Sequence, residues 1–76
     1  MNWRNRIVST PGICHGKPCV AGTRVLASVV LAELAAGVGW DTVCQGYGIT
    51  RDDIAAVLAF ASEMSRVEVV HLPEAG

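Results

Sequence analysis

From residue 26 onward the apolar positions fall into three helical patterns. Leu26, Val29, Val30 and Leu34 make one stripe, and Leu31, Ala32, Ala35 and Val38 cover most of the rest, with Ser28 and Glu33 the polar exceptions. This predicts a helix from Ala27 to about Ala36, apolar on most sides and therefore buried on most sides, ended by Gly37. Trp40, Val43, Cys44 and Tyr47 recur at i, i+3, i+4 and i+7, predicting a short helix from an Asp41 cap to Gln45 or Gly46, closed by Gly46 and Gly48. The third pattern has the best start signal. Thr50 is the expected N-cap, Asp53 completes a capping box, and Ile49 can staple onto Ile54. Its buried stripe is expected to be Ile54, Val57, Leu58, Ala61 and Met64, with Glu63 and Arg66 outside it at i, i+3 and the end near Ser65.

Before residue 26 the pattern is short and β-favouring. Residues 1–5 read as a polar, frayed arm. Arg6 to Ser9 reads as a strand, Thr10-Pro11-Gly12 as a turn, and Ile13 to His15 as loop. Gly16 to Arg24 reads as a tight hairpin: Pro18 at a strand start, Cys19-Val20 as strand, Ala21-Gly22 as turn, and Thr23 to Leu26 returning. Such strands cannot stand alone in water. They need Ile7-Val8 as a third strand, a helix beneath them, or a second chain. Val67 to Leu72 alternates imperfectly and ends at Pro73; it reads as an added strand or a frayed tail. The expected fold is mainly α: a three-helix (helix-turn-helix) domain preceded by a short N-terminal β-hairpin. It forms one domain over 1–76, with the hairpin region at 6–26, the helices at 27–66 and a C-terminal tail at 67–76.

Composition adds an interface to this picture. Hydrophobic residues make up 51% of the 76, and mean hydropathy is +0.40, which is much apolar side chain for so small an interior. A homodimer, a partner protein or both would use it. Pro18, Val20, Val25, Val67, Val69 and Leu72 are the candidate interface residues. The longest apolar run, Val25 to Val38, is too short for a membrane span and contains Glu33, and the first residues lack the apolar core of a secretory signal. Three cysteines without a paired framework fit a reducing cytosol, so a cytoplasmic protein is expected.

Charge and chemistry narrow the function classes. The net charge is −1, so nucleic acid could be held only by segregating the six Lys and Arg. In a helix-turn-helix, the third helix would show Arg51, Asp52, Ala55, Ala56, Ala59, Ser62, Glu63 and Arg66, a face poor in base-reading groups. Arg4, Arg6, Lys17, Arg24 and Arg51 are the candidate phosphate contacts. Gly12 to Pro18 is one residue short of a phosphate loop, has Pro18 where Ser or Thr would hold magnesium, and leads into no helix. Cys14, His15 and Cys19, with Cys44 or His71, sit at the edge of zinc-like spacing without a second close pair. Cys14 beside His15 lacks an orienting group. No cofactor, metal or enzymatic activity is expected.

Arg6-Ile7-Val8, Pro11-Gly12-Ile13-Cys14, Gly16-Lys17-Pro18, Ala21-Gly22-Thr23-Arg24, Leu34 to Gly37, Asp41 to Tyr47, Ile49 to Ile54 and Ala56 to Ala61 together resemble the domain-of-unknown-function 433 proteins, the VapB-type antitoxin-like group. The resemblance spans about residues 6–66. It implies a homeodomain-like fold with an N-terminal hairpin, often dimeric there. It implies an antitoxin of a type II toxin–antitoxin pair that binds and neutralises a PIN-like ribonuclease, with operator DNA as a further ligand of the complex. Cys19 departs from the β-branched residue common there, and the short tail departs from the longer one that often contacts the toxin. Glu68 and Glu74 could compete for basic groups of the nuclease. The rival classes are a stand-alone helix-turn-helix DNA-binding regulator and a homodimeric interaction module without nucleic acid.

Overall fold

A computed structural model describes residues 2–66. Two short strands, β1 (Ile7–Val8) and β2 (Cys19–Val20), precede three helices, α1 (Ala27–Ala35), α2 (Trp40–Tyr47) and α3 (Arg51–Met64). The chain is mainly helical, as the hydrophobic periodicity requires. The expected strand or tail at 67–76, with the candidate interface residues Val67, Val69 and Leu72, lies outside the described residues.

The strands pair antiparallel, Ile7 opposite Val20 and Val8 opposite Cys19. The chain turns at Ala21-Gly22, where Gly22 takes φ +76°, and comes back beside β2. Val20 N–H then reaches the Val25 carbonyl (2.9 Å) and Ala27 N–H the Pro18 carbonyl (3.0 Å). Thr23 holds this turn: its hydroxyl donates to the Val20 carbonyl (2.7 Å) and accepts from Val25 N–H (3.0 Å). The expected returning strand, Thr23 to Leu26, is reduced to one bridge between Cys19 and Leu26. The main partner of β2 is Ile7-Val8, the third strand that so short a hairpin needs.

The helix ends follow local chemistry. After α1, Gly37 (φ +88°) donates to the Leu34 carbonyl at 3.0 Å and Val38 to the Glu33 carbonyl at 3.1 Å, a Schellman motif. The reciprocal capping box at α3 is complete: Asp53 N–H donates to the Thr50 hydroxyl (3.1 Å), and Thr50 N–H to the Asp53 carboxylate (2.9 Å). Asp41 is not the cap of α2. The helix starts one residue earlier, with Gly39 as cap and Trp40 laid against the core, which leaves Asp41 in the first turn.

The core is Ile7 and Val20 from the strands, Ala27 and Val30 from α1, Val43 from α2, and Ile49, Ile54, Ala56 and Val57 at and within α3. Three expectations are corrected here. The arm expected at 1–5 is not frayed over its described residues 2–5, because Trp3–Asn5 forms a 3-10 turn packed on α3. Ala56 is not on the outer face but fully buried, because that turn and β1 both lie against α3. The packed stripe is thereby rotated, and Leu58 and Met64, expected inside, are exposed at its far edge.

Candidate functional site

The cations divide into two groups. Three of the candidate phosphate contacts are tied to carboxylates of α2 and α3. Arg4 meets Glu63 at 2.8 Å and lies over the Trp3 ring. Arg6 meets Asp53 at 3.1 Å and Asp52 at 3.7 Å. Arg51 meets Asp41 at 2.8 Å and lies over the Trp40 ring. Burial of Asp53 opposes its ionisation. Hydrogen bonds from Thr50 and Arg6 outweigh that and hold its carboxyl below the usual range. Hydrogen bonds from Arg4 and Trp3 likewise depress Glu63. Glu63 therefore engages the N-terminal arm rather than Arg66 at i+3, and Arg66 has no ion pair among the described residues.

Lys17 and Arg24 form the other group. Both are exposed, and among the described residues neither has an ion pair. Arg24 does not pair with Glu33. The two cations flank β2 on the segment with the most specific sequence signals, Gly16-Lys17-Pro18 and Gly22-Thr23-Arg24. The chain approaches Lys17 through a left-handed turn, with positive φ at Cys14 (52°), His15 (56°) and Gly16 (77°). Gly16 N–H donates to the Ile13 carbonyl and Lys17 N–H to that of Cys14, and the Ser9 hydroxyl braces the turn through the Gly16 carbonyl. L-residues disfavour this conformation, so the surroundings must hold Cys14 and His15 in it.

Beside Lys17 lies an open groove of about 320 Å³, lined by Lys17, Pro18, Ala27, Ser28, Leu31 and Phe60. Its walls come from β2's approach, α1 and α3, and its lining is mostly apolar. Of the candidate interface residues, Pro18 lines this groove and Val25 is half-buried against the core. Val20 is spent inside the chain's own core at 1% exposure. Leu31 and Phe60 had no local sequence signal for this role, because packing of α1 on α3 creates it.

No group of three or more His, Cys, Asp or Glu able to hold a metal occurs among the described residues. Cys19 is buried, Cys44 half-buried against the core, and His15 exposed. Exposed positions of α3 offer Arg51, Asp52 and Ser62, with Arg66 just beyond its end, but no Asn, Gln or Lys. No helix is long and apolar enough to cross a membrane among the described residues.

Nothing among curated proteins or solved structures matches the chain. A family model described as "Protein of unknown function (DUF433)" matches residues 7–61, and the chain belongs to that family.

Proposed function

We propose that this member of the DUF433 family is a non-enzymatic antitoxin that binds and neutralises a PIN-like ribonuclease as one half of a type II toxin–antitoxin pair. The observation that carries the reading is the apolar groove of Pro18, Leu31 and Phe60, with Lys17, which has no ion pair among the described residues, at its rim. It is an open contact surface built partly from the Gly-Lys-Pro signature. An apolar floor with a charged rim suits a protein partner, whose acidic groups Lys17 would meet. The resemblance supplies the partner's identity. The expected setting is the cytoplasm and the expected state a homodimer. Exposed Leu58, Met64 and Tyr47 support the latter.

Co-expression with the neighbouring reading frame, followed by affinity capture, tests the proposal. The expected outcome is a stable complex and relief of the neighbour's toxicity. A toxic neighbour neither captured nor neutralised overturns it. Light scattering at micromolar concentration tests the dimer, and a monomer contradicts it.

Operator binding by the complex is the second reading. The short connection Gly48–Thr50 between α2 and α3 favours it, as a homeodomain-like helix-turn-helix would have one. Because Arg4, Arg6 and Arg51 are engaged in ion pairs, few cations are left for phosphate, and such binding would be weak and seen only at low salt. A mobility shift on upstream DNA, with and without the nuclease, tests it. No shift at low salt in either case removes it, along with the stand-alone regulator.

A further inference from the structure

We propose that Cys14 and Cys19 form an oxidisable dithiol that hydrogen peroxide closes to an intramolecular disulfide. Cys14 Sγ donates to the Arg24 carbonyl at 3.3 Å, and Cys19 Sγ to the Thr23 carbonyl at 3.7 Å. Both sulfurs thus converge on successive carbonyls of one returning segment. The left-handed turn from Cys14 to Gly16 folds the chain back between them.

The two thiols are not equivalent. Cys14 is half-buried at the surface, whereas Cys19 is 1% exposed. Burial, and then the neighbouring Cys14 thiol, push the Cys19 thiol up. Cys14 is therefore the sulfur that peroxide reaches, and Cys19 the resolving one. The Cys14 thiolate attacks a peroxide oxygen, the O–O bond breaks, and hydroxide leaves a sulfenic acid. The Cys19 sulfur then attacks the Cys14 sulfur. The S–S bond forms, the S–O bond breaks, and the departing hydroxide takes the Cys19 proton as water. Two thiols and one peroxide give one disulfide and two waters. The closed ring contains Lys17 and Pro18, so oxidation acts on the rim of the apolar groove.

Peptide mass analysis of the full reduced chain, treated with limiting peroxide, denatured, alkylated and cut with trypsin, tests this. Trypsin spares the Lys17–Pro18 bond, so the fragment from Ile7 to Arg24 carries both thiols and not Cys44. The expected fragment takes up no alkyl group and is lighter by two hydrogens. Cys44→Ser leaves this result unchanged. Cys14→Ser leaves Cys19 fully alkylatable. Cys14 accumulating as sulfinic acid or as an intermolecular disulfide, with Cys19 still alkylated, overturns the proposal. That outcome is read on the unmutated chain and does not depend on either variant folding.

Discussion

Trp3 donates its indole N–H to the Glu63 carboxylate at 2.6 Å, across 60 positions of sequence. Its ring meets Phe60 edge-on, with centroids 5.1 Å apart and planes at 74°. One residue of the N-terminal arm thereby closes a cover over the second half of α3. Trp3→Ala should remove about 1.5–3 kcal/mol, as expected for a half-buried aromatic that loses apolar area and an edge-on partner. Urea unfolding should show a lower midpoint at unchanged slope. A loss under about 0.5 kcal/mol, the scale of ordinary surface changes, would mean that the arm is only loosely attached.

Asp53 joins the capping box to Arg6 of the sheet edge, so one carboxylate serves a helix end and a tertiary contact. Its folded pKa is depressed. Its contribution is therefore fully present above the ordinary carboxylate value of about 3.9 and is lost as pH falls through the lower folded value. Asp53→Ala should cost about 1–2 kcal/mol at neutral pH, from the lost cap and ion pair. It should also flatten the decline of stability in acid, read by chemical unfolding at a series of pH values. Some decline should remain, because Glu63 is depressed in the same direction. A variant with the acid slope of the parent would sink this assignment.

Lys17 is exposed and makes no ion pair among the described residues, so its reversal tests function apart from fold. Lys17→Glu should change stability by no more than about 0.5 kcal/mol. Affinity for the neighbouring nuclease should fall about tenfold or more, the effect of about 1.4 kcal/mol at a contact between opposite charges. Titration calorimetry of the two purified proteins checks this. Unchanged affinity would take Lys17 out of the interface.

What the sequence made legible was local. The Thr50–Asp53 box, the burial of Ile49 and Ile54 around it, the Gly37 cap and the Gly22 turn each depend on residues within about five positions of one another, and each is present. What was not legible depends on partners far along the chain. Arg6 to Asp53 spans 47 positions and Arg4 to Glu63 spans 59, and no periodicity encodes such pairs. The same holds for Ala56. A helical wheel permits it either face, and the arm and β1 decide. At the candidate site, Lys17 and Pro18 were visible as a signature, but the groove also needs Leu31 and Phe60. The left-handed turn was hidden because Cys14 and His15, unlike glycine, give no sign of positive φ.

Positive φ at His15 and at Gly37 offers a test with two opposite signs. At Gly37 (φ +88°) a Cβ would meet nothing within 4 Å, so Gly37→Ala brings backbone strain without a clash. It should cost about 1 kcal/mol, the penalty for an L-residue in the left-handed region. His15 is the converse, an exposed L-residue already at φ +56°. His15→Gly removes a strain of about 1–2 kcal/mol but gives the unfolded chain more freedom, leaving a net gain of about 0.5–1 kcal/mol. For a domain of this size that is a rise in Tm of about 2–8 °C, whereas Gly37→Ala should lower it by about 4–8 °C. Thermal unfolding followed by circular dichroism reads both. If His15→Gly lowers Tm, the turn is not strained, and the His15 side chain makes a stabilising contact of its own.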